Sequence, residues 1–285
     1  MRHAIPTTSP TFGHPPHTAR VLVFPDAEAL GAQLAGEILD LLSEARKGAR
    51  PFLLGCPGGR SLRSTYRALG QLAAEQGADL SRLVIVMMDE YVLPSRRAGR
   101  FRNCPAGAHY SCHRFAREEI AAVLNAGLRA SRRVRSASVW FPDPAASAAY
   151  ETKIEKAGGV DLFLVASGAS DGHVAFNPPG SALDSPTRIV TLAESTRRDN
   201  LGTFPKFGGL AEVPAHGVSV GLGTISRLSR RVALVIHGAH KRDAVRRLLR
   251  CADFTPTWPA SVILRCRKPG VWLDRAAAGD LAQPP

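Results

Sequence analysis

The sequence predicts an α/β fold: a doubly wound, mainly parallel sheet with helices on both faces. Three observations carry that expectation. Short apolar runs recur at about residues 51–55, 83–88, 160–166 and 231–237, the pattern of strands buried on both faces. Segments of helical character stand between them, at about 26–47, 61–77, 116–129, 144–157 and 240–251, so strand and helix alternate along the chain. Polar residues gather where the strands end, which is where open α/β sheets place their ligands.

The elements follow in order. Met1 to Thr18, rich in Pro, His and Thr, reads as a disordered tail without the continuous apolar stretch of a signal peptide. Residues 19–285 read as one domain. Pro51 to Gly55 empties into Cys56-Pro57-Gly58-Gly59-Arg60-Ser61, after which Leu62, Tyr66 and Leu69 recur at helical spacing. A Gly-rich strand-to-helix turn brings backbone N–H groups to an anion at a helix N-terminus, with Arg60 and Ser61 as further donors; Gly-Gly alone also serves tight turns without a ligand.

Leu83 to Met88 leads into Asp89-Glu90-Tyr91-Val92. The segment Ser95 to Ala108, with four Arg, two Gly and a Pro, is either a lid or an ordinary surface excursion. Val160 to Ala166 leads to Asp171-Gly172-His173-Val174-Ala175-Phe176-Asn177. A carboxylate two residues from an imidazole fixes its tautomer and suits a proton shuttle near neutral pH; the competing reading is an Asp cap beside an exposed His. Two strand ends with complementary acid and base groups point to one shared site.

Composition narrows the function classes. At 285 residues and 45% hydrophobic, the chain buries a full core in one domain. No run approaches the length of a membrane span. The cysteines at 56, 104, 112, 251 and 266 form neither a Cys-x-x-Cys pair nor a disulfide framework, which suits a reducing cytoplasm, and Cys56 reads as a buried small hydrophobe.

The net charge of +13 comes from 31 Arg and six Lys against 24 acids. The basic clusters lack interleaved aromatics or a nucleic-acid module, so specific nucleic-acid binding is not expected. The nine His form no metal-ligand spacing, and Gly221-Leu222-Gly223-Thr224 lacks the third glycine of a dinucleotide fingerprint. That run reads as a tight turn at the floor of the site, and neither metal nor cofactor is expected. The oligomeric state is left open, a homo-oligomer included.

Cys56 to Ser61, Met88 to Val92, Asp171 to Asn177, Thr187-Arg188-Ile189 and Val220 to Thr224 occur in one characteristic order. From about residue 20 to 275 the chain resembles the glucosamine-6-phosphate deaminase/isomerase family, whose superfamily includes 6-phosphogluconolactonases. The Asp-Glu-Tyr-Val and Asp-Gly-His-Val-Ala-Phe-Asn strings resemble the deaminases. Trp258-Pro259-Ala260-Ser261 through Gly270-Val271-Trp272-Leu273-Asp274 looks more like a lactonase.

The resemblance implies a modified Rossmann-like fold and a phosphorylated sugar as substrate. It implies Asp89 as the base at C2, His173 as the ring-opening group with Asp171 as its orienting partner, and a phosphate held by Gly58, Gly59, Arg60, Ser61 and Lys241. Lactone hydrolysis and a non-catalytic sugar-phosphate binder are the alternatives.

The chain also departs from that pattern. Pro178-Pro179 stands where the family continues Phe-Asn with a Glu, and Ala169 replaces the second Gly of Gly-x-Gly. The family's phosphate arginine aligns with Gly202 or Thr203, leaving Arg197, Arg198 or Lys206 as substitutes. Arg188 matches one allosteric residue, but Val190 does not match its basic neighbour, so allosteric control is not expected.

Overall fold

The computed structural model describes residues 7–14 and 17–279. Its strands are β1 (Thr7–His14), β2 (His17–Phe24), β3 (Phe52–Cys56), β4 (Leu83–Met87), β5 (Asp89–Pro94), β6 (Phe101–Asn103), β7 (Val139–Trp140), β8 (Leu162–Ala166), β9 (Arg188–Thr191), β10 (His216–Ser219), β11 (Val232–Ile236) and β12 (Pro269–Asp274). Its α-helices are α1 (Ala27–Ala45), α2 (Arg63–Glu75), α3 (Cys112–Phe115), α4 (Ala122–Asn125), α5 (Ser147–Lys156), α6 (Glu194–Thr203), α7 (Leu222–Leu228), α8 (Arg242–Leu249) and α9 (Arg275–Ala278). A π-helical turn, Ala116–Ala121, joins α3 to α4.

The main sheet runs β1-β2-β12-β11-β8-β3-β4-β7, parallel throughout except for the β1–β2 hairpin. Alternate side chains serve opposite faces, as a pleated strand requires. Leu53, Val84, Val86, Phe163 and Leu234 pack with α5, α7 and α8. Leu54, Ile85, Leu162, Leu164 and Val235 pack with α1, α2 and α4. Both faces are covered, as the four apolar runs predict, and no helix among the described residues is long and apolar enough to cross a membrane.

The structure corrects two expectations and decides between two readings of a third. The tail predicted for residues 1–18 falls partly outside the described residues, at 1–6, 15 and 16; Thr7–His14 instead pairs with β2, Thr7 opposite Val23 and His14 opposite His17, with Phe12 buried. Pairing gives these β-favouring threonines a ladder that composition alone does not announce. The segment 95–108 takes the second of its two readings, a surface excursion: residues 96–100 are exposed, no residue of the segment lines the site cavity, Ser95 N–H bonds Arg100 O at 2.8 Å, and β6 returns as a hairpin against β5. Gly221–Thr224 is not a site floor but the start of α7, where Thr224 Oγ1 accepts from Gly221 N–H and bonds Glu151.

A second sheet, β6-β5-β10-β9, is entirely antiparallel. It begins at the acidic motif itself, because the chain passes from β4 through Met88 straight into β5. Several arginines of the basic clusters act locally. Arg133 Nε and Arg242 Nε donate to the carbonyls of Leu128 and Ala276 at 2.8 Å each, and the Arg247 guanidinium lies 4.4 Å over the Trp258 ring.

Candidate active site

The carboxyl ends of β3, β4 and β8, the start of α2, α6 and the segment after β11 enclose a cavity of about 300 Å³. Gly58, Gly59, Arg60, Ser61, Asp89, His173 and Lys241 all line it. Asp171, the remaining candidate, lies immediately behind His173.

Asp171 is a buried carboxylate surrounded by donors. His173 offers it both its backbone N–H, at 3.0 Å, and Nδ1, at 2.7 Å; Ser195 and Thr196 hydroxyls donate to Oδ2 at 2.5 and 2.9 Å. Burial alone would raise this carboxyl, but the His173 imidazole and Ser195 hold it well below the ordinary range. An ionised Asp171 places the imidazole proton on Nδ1 and leaves Nε2 as the nitrogen that exchanges protons.

Close backbone approach makes this turn feasible. A Cβ at Gly168 would stand 2.2 Å from His173 Nδ1, and one at Gly172, whose φ is +68°, would meet the Trp258 ring at 2.4 Å. The C-terminal Trp258 segment thus braces the turn, with Ala260 N–H bonding Gly172 O at 2.8 Å. Ala169 is not among the residues of positive φ, so replacing glycine there costs no strain; Ala175, at φ 51°, is the strained residue on the cavity wall. Pro178 supplies only its carbonyl, to Ser181.

Asp89 has the opposite surroundings. It is buried where β5 departs from β4, paired with Ser219 of β10. Burial pushes its carboxyl up to about 7; Glu90 adds to the rise, and the Cys112 thiol and His173 oppose it. The thiol donates to Oδ1 at 3.3 Å.

Glu90 explains why Cys112 is there. This fully buried carboxylate accepts from the backbone N–H groups of Tyr91, Cys112 and His113 at 2.7, 3.0 and 3.0 Å, and from Ser111 Oγ at 2.8 Å. It satisfies the open N–H groups at the start of α3, and so fixes Cys112 against Asp89. Cys56, by contrast, is fully buried, its thiol pushed up to about 12 by burial, the inert role expected for it.

The anion side is built on the turn before α2, whose N-cap Leu62 has no side-chain cap bond, so its first N–H groups face the turn. Tyr66 Oη donates to Pro57 O at 2.9 Å, and His237 Nε2 lies 3.1 Å from Ser61 O. Lys241 Nζ donates to Ser167 O at 2.6 Å and reaches Ser61 Oγ at 3.5 Å. Burial lowers this ammonium to about 8, Asp199 opposing and Arg60 reinforcing the fall.

The arginine expected after Thr196 has no counterpart there. Arg197 is spent on Leu210 O and Val213 O, at 2.6 and 2.9 Å; Arg198 pairs with Glu194 on the surface; Lys206 is exposed and outside the cavity wall. A Cβ at Gly202 would instead sit 3.5 Å from Arg60 Nη2, so Arg60 fills the space beside the missing side chain. Arg188 donates to Asn177 Oδ1 at 2.9 Å and thereby supports the His173 turn.

Sequence reasoning missed Cys112, Tyr91, Asp199, Asn200, His237 and His240, all on the cavity wall. The four-residue interval from Ser195 to Asp199 was the available signal, because it puts both on one face of α6. Ligating atoms of Asp171, His173 and Asp199 lie within 4.8 Å of one another. The Asp171 oxygens and His173 Nδ1 are already engaged with each other and with hydroxyls, so the grouping is organised for proton transfer.

Comparison with known proteins identifies the family to which the chain belongs. Residues 25–272 match the family model described as glucosamine-6-phosphate isomerases/6-phosphogluconolactonase. The glucosamine-6-phosphate deaminase of Mycolicibacterium smegmatis is 35% identical over 271 residues, 90% of this chain and 91% of that one. Its counterpart from Porphyromonas gingivalis is 31% identical over 264 residues, 92% and 94%. Among solved structures, a monomeric glucosamine-6-phosphate deaminase superposes with a TM-score of 0.75 at 27% identity, covering 90% of this chain and 98% of that chain. The 6-phosphogluconolactonase of Trypanosoma cruzi, at TM-score 0.67 and 16% identity over 94% and 98%, shares the fold.

Proposed function

The chain belongs to the glucosamine-6-phosphate isomerase/6-phosphogluconolactonase family, and from that premise we propose that it is a glucosamine-6-phosphate deaminase, releasing fructose 6-phosphate and ammonia. The observation that carries this reading is the pairing of Asp89, raised to about 7, with an imidazole whose tautomer Asp171 fixes. A base that must take a carbon-bound proton near neutral pH needs a raised carboxyl. Lactone hydrolysis requires no such base at C2.

The steps follow from the placement. The substrate phosphate lies against the Gly58–Ser61 turn and Lys241. His173 Nε2 takes the O1 proton and returns a proton to the ring oxygen, as C1–O5 breaks and C1=O1 forms. Asp89 then removes the C2 proton; the C2–H electron pair becomes a C1=C2 bond while O1 takes a proton from the substrate's own C2 ammonium group, which leaves the enolamine. Asp89 delivers its proton to C1 of the enolamine, and water adds to the resulting C2 imine and expels ammonia. Cytoplasmic residence belongs to the same reading, supported by five free cysteines.

The test is ammonia and fructose 6-phosphate release from glucosamine 6-phosphate, run beside hydrolysis of 6-phosphogluconolactone. Ammonia release that depends on Asp89 is expected. His173-dependent lactone hydrolysis without ammonia from any amino sugar phosphate would overturn the assignment.

A further inference from the structure

Asp199 lies on the cavity wall and has no task in the steps above. It stands one helical turn after Ser195 on α6, so the helix that sends a hydroxyl to Asp171 also sends a second carboxylate to the same place. Asp199 Oδ2 accepts from Ser170 Oγ at 3.2 Å, and the carboxylate lies within 4.8 Å of ligating atoms of His173 and Asp171.

The two carboxylates near His173 differ in what they can still do. Asp171 is buried and takes four hydrogen bonds. Asp199 is half-buried and opens on the cavity, where it retains accepting capacity. The next turn of α6 meets the cationic end of the same cavity: a Cβ at Gly202 would lie 3.5 Å from Arg60 Nη2 and one at Gly59 would lie 3.7 Å from Thr203 Cγ2, and Lys241 shares that wall with Asp199. Asp199 opposes the loss of the proton from Lys241, and it acts on His240 in the same sense against Lys241, Arg60 and His237.

We propose that Asp199 is the shared counter-ion of this site, a positioning residue whose carboxylate serves both the Lys241 ammonium and the His173 imidazolium that forms during ring opening. The proposal rests on the deaminase reading for its second half only; the first half concerns anion binding, whatever the reaction. A half-buried ammonium beside a guanidinium is kept protonated by a fixed negative charge. A transient imidazolium whose Nδ1 side is occupied is stabilised by a second carboxylate within 4.8 Å. The groups facing Lys241 are Asp199, Arg60, His240, Ser61 and the Ser167 carbonyl; those facing His173 are Asp89, Asp171, Thr196 and Asp199.

The sign of the effect is fixed. Removing a negative charge lowers the pH at which Lys241 gives up its proton, so the loss grows as pH rises. Calorimetry of glucose 6-phosphate binding to the full chain measures this without turnover. For Asp199→Asn we expect affinity within about threefold of wild type at pH 6 and weakened at least about tenfold at pH 8.5, with Asp199→Glu restoring most of the loss. On glucosamine 6-phosphate, kcat of Asp199→Asn should fall about tenfold at saturation.

Asp199→Ala provides a second neutral variant should the asparagine disturb α6, and melting curves identify such disturbance. A binding profile of either folded neutral variant that superimposes on wild type from pH 6 to 8.5 would overturn the counter-ion role at Lys241. An unchanged kcat would overturn its role at His173. If wild type releases no ammonia, the deaminase reading fails while the calorimetry still decides the anion half.

Discussion

Asp89 and Asp171 are the same residue in the same site, and their surroundings push them in opposite directions. Asp89 is desolvated, with a thiol as its recorded hydrogen-bond donor, and is raised to about 7. Asp171 is buried as well, yet four hydrogen bonds hold it ionised. The difference shows that burial alone does not set a carboxylate's role; the number and strength of donors does. One group is left able to accept a proton from carbon, and the other is fixed as an orienting charge.

Substitutions that erase the carboxylates separate the two roles. Asp89→Asn should lower kcat by about 1000-fold with little change in substrate binding. Its effect on stability has the unusual sign. A carboxyl raised in the fold binds more protons folded than unfolded, so ionising it between about pH 4 and 7 weakens the fold. The variant should melt several degrees above wild type at pH 8, and the advantage should vanish at pH 4. A lower melting temperature at pH 8 would show that Asp89 is not held at a desolvation cost.

Asp171→Asn should reduce kcat by about 100-fold, because the imidazole loses its tautomer. Here stability should fall, by about 1–3 kcal/mol at pH 7. The Asp171 contribution is present above the unfolded carboxyl range and is lost as pH falls through the depressed folded value, so variant and wild type should converge in strong acid. Equal melting behaviour at pH 7 would mean that the four hydrogen bonds contribute nothing net.

Lys241→Ala extends the contrast to the anion side. Phosphorylated sugars should bind roughly 10- to 100-fold more weakly, while the weak binding of unphosphorylated analogues stays unchanged. Equal losses for both classes would assign Lys241 to packing around Ser167. The smallest effect is expected from Cys112→Ala. Losing the thiol donor removes support for the ionised Asp89, so the acid limb of kcat/KM should move to higher pH, and Cys112→Ser should hold it in place.

Much of this was legible in the residues, for a physical reason. The four apolar runs become β3, β4, β8 and β11 because strands buried on both faces must be continuously apolar. The site was legible where strand ends carry polar residues, at Asp89 and at the turn before α2. The antiparallel sheet was not. Asp89–Pro94 reads as a charged motif although it is a strand, and Arg188–Thr191 is too short and polar to show alternation. The edge hairpin and the Gly- and Trp-containing β12 escaped for similar reasons. Cys112 was invisible because its place against Asp89 depends on packing through Glu90, and Asp199 showed only as a four-residue spacing from Ser195 whose meaning depends on where α6 packs.

The central claim is that Asp89 works as a base because the fold raises its carboxyl. The most direct measurement is the pH dependence of kcat/KM for ammonia release from glucosamine 6-phosphate by the wild-type enzyme, which reports groups of the free protein. A narrow bell is expected, with an acid limb near 7 from Asp89 and an alkaline limb near 8 from Lys241. An acid limb near the ordinary carboxylate value of about 4, unmoved in Cys112→Ala, would contradict it.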